Sequence, residues 1–172
     1  MEQIEAQFSD NEGNHLMVAL DFYDKDCMQT TFCIPPEFSD IDIVDISITK
    51  LFLDQPIKPV AFFKMSSWLL EQFEKLNGVV FTYICSTDEL FTNHKGVEPQ
   101  FYRWRLFDRL MERKASSMSR IGIQDVIIGP EGLGFQTYGR AFYKQEQAPI
   151  IHIVVSYLRD KQRLSPGPAH EI

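Results

Sequence analysis

The chain has 172 residues and a mass of 20.0 kDa, the size of one compact domain. Its 44% hydrophobic and 13% aromatic content supplies a sizeable core and excludes a largely disordered polypeptide. The acidic start MEQIEAQFSD and the absence of any run near the roughly 18 apolar residues of a membrane span predict a cytoplasmic protein with neither signal peptide nor membrane partner.

Cys27, Cys33 and Cys85 are odd in number and lack paired metal-ligand spacing, so neither a disulfide framework nor a metal centre is expected. The net charge of −7 is uneven: residues 1–60 carry twelve acidic side chains against three lysines. Residues 101–120 reverse this, with six basic side chains against Asp108 and Glu112. Such an asymmetry either orients a partner or is matched internally.

Taken in chain order, His15–Tyr23 and Met28–Ile34 read as two strands of a hairpin joined by the turn-forming DKDC. The isoleucines from Ile41 to Ile48, leading into Leu51 and Leu53, predict a bulged strand or two short ones. Val60–Leu76 has the period of a helix, with Phe62, Met65, Leu69, Phe73 and Leu76 on one side, Pro59 before it and Asn77-Gly78 to stop it. Val79–Cys85 is an almost unbroken apolar run, as in a central strand covered on both faces.

A second helix is predicted over Gln100–Met118, followed by strands at Gln124–Ile128, Phe135–Tyr143 and Ile150–Leu158, with connectors GPEGLG and KQEQAP. The expected fold is therefore α+β. It has one mixed, mainly antiparallel sheet of six to seven strands and two helices in the order βββ-α-β-α-βββ, formed by residues 1–160, with a polar tail over 161–172. A strand between two helices allows a crossover, so part of the sheet is expected to be parallel.

GPEGLG lacks the Gly-Lys-Ser/Thr ending of a phosphate loop, and the strand pattern after it offers no helix terminus to an anion. Cys85, with His94 nine residues on, is the one candidate nucleophile, and a buried cysteine ending a core strand is the simpler reading. Phe135, Tyr138, Phe142, Tyr143 and Tyr157 raise the question of a base-stacking platform, which core packing explains better in an acidic chain.

RWRLFDRLMERK is the most informative run. Arg105, Arg109 and Arg113 form a stripe at i, i+4 and i+8, flanked by Asp108 and Glu112, while Arg103 falls inside the apolar arc, where an unpaired guanidinium is costly. Asp88, just after the central strand, is the predicted partner of Arg103, as a structural clamp or as an anion site for which a ligand competes. The candidate binding residues are accordingly Asp88, Arg103, Arg105, Arg109 and Arg113.

YICSTDE followed by RWRLFDRLM resembles a small family of uncharacterised bacterial domains, through Cys85, Asp88, Arg103, Arg105, Leu106, Phe107, Asp108 and Arg109. That resemblance implies no activity. The order of elements is similar, more distantly, to the second half of the GNAT acetyltransferase fold. That resemblance implies acyl-coenzyme A at a glycine-rich turn, where this chain has LDQPIKPVAFF and no glycine.

The expectation is a non-catalytic binding or regulatory domain without a cofactor. Its partner is expected to be another protein or a second copy, ahead of nucleic acid at the arginine stripe. The alternative is a GNAT-like acyltransferase with an altered cofactor loop and Tyr102, Tyr138 or Tyr157 as general acid.

Overall fold

The computed structural model describes residues 3–51, 57–85, 105, 108–109, 112, 121–128 and 137–164. Six strands, β1 (Gln3–Ser9), β2 (His15–Phe22), β3 (Asp42–Lys50), β4 (Val79–Ile84), β5 (Ile121–Ile128) and β6 (Thr137–Lys144), form one mixed sheet in the order β1-β2-β3-β4-β6-β5. The helices continuous within the described residues are α1 (Lys25–Thr30), α2 (Pro59–Lys75) and α3 (Ile151–Leu164). The fold class is α+β as expected, and the pair β3–β4, joined through α2, is parallel while the other pairs are antiparallel.

The amino-terminal hairpin differs from its expectation. β2 pairs with β1, from Gln3↔Asp21 to Ser9↔His15, and the segment read as a strand at Met28–Ile34 instead opens in α1. Ile4, Ala6 and Phe8 alternate with Glu5 and Gln7 ahead of the turn-forming DNEGN, a period-two signal. Met28 and Phe32, four apart, point together into the core at 2% exposure each, a spacing that a helical turn and a strand both allow. β3 is a single strand in unbroken register with β2, so the expected bulge is absent from it. Its pattern is irregular because Val44 and Ile46 face α2 while Ile43 joins the core on the other face.

The two faces carry separate cores. On one, α2 buries Ala61, Met65, Leu69, Leu70 and Phe73 against Leu16, Val18, Leu20 and Phe81. Burying each large side chain contributes roughly 1.5–3 kcal/mol. Pro59 opens α2, and Gly78 turns the chain out of it at φ +65, with Asp42 N–H donating to its carbonyl at 2.7 Å.

On the other face, α3 buries Ile151, Val154, Val155 and Leu158 against Ile43, Val80, Val126 and Ala141. The expectation of a strand at Ile150–Leu158 is thus corrected. β-branched side chains suggested a strand, but the buried positions are spaced three and four apart, and that period prevails over propensity. α3 runs to Leu164, into the stretch read as a tail, and KQEQAP forms a 3-10 turn over Gln145–Ile150.

Candidate functional site

The half of the sheet formed by β4, β6 and β5 holds the least ordinary chemistry. Tyr83, Arg140 and Asp125 are register partners across the three strands and share one face, the face that α2 covers over the other half. Arg140 is 4% exposed, in the middle of β6 between Gly139 and Ala141. An unpaired guanidinium there is untenable, and it has two carboxylates. Its Nε donates to Asp125 Oδ1 at 2.6 Å, and its Nη1 forms an ion pair with Asp108.

Arg105, Asp108, Arg109 and Glu112 are helical, so the helical segment that carries Asp108 lies over this half of the sheet. Asp108 and Glu112, four apart, share one side of the helix, and Arg105 and Arg109 form the neighbouring ridge, both exposed.

The electrostatics follow from burial. Burial, and after it the Glu112 charge, push the Asp125 carboxyl above its ordinary value even beside the guanidinium. Burial lowers the Arg140 value, an effect that the Tyr83 and Cys85 side chains oppose. Burial also pushes the Tyr83 phenol far above its usual range, with Cys85 adding to the shift, and its ring stacks on Phe142 with centroids 6.0 Å apart. Tyr83 therefore stays neutral.

Among the described residues, β5 is the last strand of the sheet on this side. β5 has one strand neighbour, β6, among the described residues, so its outer hydrogen-bonding groups form an edge. Ile123 and Ile127 lie on the same face as Asp125, one on each side of it, at 37% and 47% exposure. The sequence IGIQDVII holds no proline or lysine and only one charge, which is engaged by Arg140. The opposite edge, β1, sets exposed Gln3, Glu5 and Gln7 along one face, the polar composition by which natural edges avoid pairing.

The predicted site residues divide. Arg105 and Arg109 are placed beside the buried pair, and Asp88, Arg103 and Arg113 lie outside the described residues, as do His94 and GPEGLG. The partnership expected of Arg103, a buried guanidinium clamped by a planar carboxylate, is found at Arg140. Opposite charges within two consecutive strand segments, Asp125 four positions before GPEGLG and Arg140 six positions after it, were the available signal for it.

Cys85 is 8% exposed and directly follows β4, its N–H donating to Tyr138 O at 2.7 Å. Tyr157 packs on Phe32 with ring centroids 3.8 Å apart and lies at 6.1 Å from Tyr23, and Phe142 is 1% exposed, so these rings serve the core. Among the described residues no cluster of His, Cys, Asp and Glu has the arrangement of a metal site.

At the amino terminus of α2, the Asp10 carboxylate accepts Lys58 N–H at 3.0 Å, Glu12 N–H at 2.8 Å, Asn14 N–H at 2.9 Å and Asn14 Nδ2 at 3.0 Å. Donation from the Lys58 backbone, and then from Asn14 and Glu12, holds Asp10 well below the usual carboxylate range against the opposing effect of burial. The β1–β2 turn thus presents a carboxylate to the positive end of the helix. Compared with protein-family models, with curated proteins and with solved structures, the chain matches none.

Proposed function

We propose that this is a non-catalytic protein-binding domain that takes an extended segment of its partner as an added strand along β5. The single observation that carries this reading is the β5 edge. It is eight residues long and carries one charge, Asp125, which Arg140 has already engaged, with Ile123 and Ile127 exposed on either side of it. Strand addition draws its affinity from main-chain hydrogen bonds and its selectivity from alternate side chains, which is what this edge offers. Exposed Arg105 and Arg109 on the overlying helical segment add positive charge at the rim.

The test is affinity capture from the native host with the wild type, Ile127→Lys, and Phe63→Lys as control, since Phe63 is 41% exposed on α2, away from β5. The partner is expected to be recovered by the wild type and Phe63→Lys and lost with Ile127→Lys. Equal recovery by all three counts against the reading.

The parallel β3–α2–β4 unit, followed by antiparallel strands, favours a GNAT-like acyltransferase as the second reading. Against it, the helix terminus to which that resemblance assigns a pyrophosphate receives Asp10. A thermal shift with acetyl-coenzyme A separates the two, because ligand at about 100 times its dissociation constant adds about 2.7 kcal/mol.

A further inference from the structure

Resting on the reading of β5 as a docking edge, we infer that its occupant is a second copy of this chain, the two β5 strands pairing antiparallel about a two-fold axis that passes through Asp125. Charge selects the edge. Residues 1–60, which supply β1–β3, carry twelve acidic side chains against three lysines, and residues 61–172 carry fourteen basic side chains against twelve acidic ones. Because the sheet order sets β1–β3 at the far end from β5, joining two copies at β5 keeps the acidic halves as far apart as the sheet allows. Joining them at β1 would bring those halves together.

Self-pairing also needs a self-complementary strand. Residues directly opposite in an antiparallel pair share a face, and Ile123 and Ile127 are two positions either side of Asp125 on one face. The register centred on Asp125 therefore sets Ile123 against the partner's Ile127 and Ile127 against the partner's Ile123, covering both exposed isoleucines at once. Centring on Gln124 would instead set each Ile123 against a carboxylate. The cost of the chosen register is Asp125 facing its own copy. It is moderated because each Asp125 has Arg140 Nε at 2.6 Å, so the central row reads arginine, aspartate, aspartate, arginine.

Sedimentation velocity over a range of concentrations tests this with the wild type, Ile127→Lys and Asp125→Asn, circular dichroism checking that each is folded. Ile127 is 47% exposed, and Arg140 keeps Asp108 when Asp125 is neutralised. The expected result is a concentration-dependent wild-type dimer, weakened about tenfold or more when Ile127→Lys sets a lysine against each Ile123, and tightened by Asp125→Asn, which removes the facing charges. A wild type and an Asp125→Asn variant that are both monomeric, while Ile127→Lys still loses the captured partner, overturn the second copy as occupant and leave the docking edge standing. A dimer indifferent to Ile127→Lys overturns the β5 interface itself.

Discussion

Replacing Arg140 by Met removes the cation on which two carboxylates converge. The side chain is 5% exposed, its Nε lies 2.6 Å from Asp125, and Asp108 holds its Nη1. Taking one partner from a buried ion pair costs about 3–5 kcal/mol, because the remaining charge is left in a poor solvent. Here Asp108 is 17% exposed but Asp125 is 44% exposed and recovers some hydration, which places the expected loss near the lower end, about 3 kcal/mol. For a chain of this size that corresponds to a fall in Tm of roughly 6–12 °C.

Urea unfolding at neutral pH measures it. The triple variant Arg140→Met, Asp108→Asn, Asp125→Asn should regain most of the loss, since neutral groups replace the stranded charges. Without Arg140 the folded-state value of Asp125, which burial already raises, rises further. Its protonated state then favours the fold below the unfolded value, and that contribution is lost as pH rises through the folded one. The deficit of the single variant should therefore shrink on acidification. A loss under about 1 kcal/mol, or one that is constant with pH, would refute the argument that the pair is buried and mutually dependent.

Gly139→Ala should destabilise by about 1–3 kcal/mol in the same assay, because a Cβ there would lie 2.8 Å from the Tyr83 carbonyl and 3.2 Å from Ile84 Cγ1, forcing β4 and β6 apart. Gly122→Ala should cost less, since the group it meets at 2.3 Å is the half-buried Tyr143 ring, which can swing away. The lowered value of Asp10 means that its contribution to stability is present above its unfolded value of about 3.9 and is lost as pH falls through the folded one. Asp10→Asn should lower the urea midpoint at neutral pH and flatten its decline in acid, and a decline as steep as that of the wild type would contradict the role given to that carboxylate.

The parts of this fold that sequence made legible are those where pattern and propensity agree. In Val60–Leu76 the apolar spacing, the proline at the start and the glycine after the end point to one helix, and Pro59–Lys75 is that helix. Val79–Cys85 has no polar position for solvent, as suits a strand between two cores. Ile151–Leu158 was harder, because isoleucine and valine favour strands locally while the burial that decides the matter depends on a sheet elsewhere in the chain.

Lys25–Thr30 is short, and the apolar pair formed by its Met28 and by Phe32 just beyond it fits either period, so the neighbouring threonines favoured the wrong one. Of the candidate site, the arginine ridge at Arg105 and Arg109 was visible as spacing. The guanidinium that organises the site, Arg140, was not, because only the β5–β6 register and the return of Asp108 from another segment reveal that it is buried and paired.

Amide hydrogen exchange on the protein alone and with its bound partner, whether a captured protein or a second copy at high concentration, tests the docking edge most directly. The account predicts added protection in Ile121–Ile128, with Gln3–Ser9 at the opposite edge unchanged. Protection gained along Gln3–Ser9 with Ile121–Ile128 unchanged would contradict it.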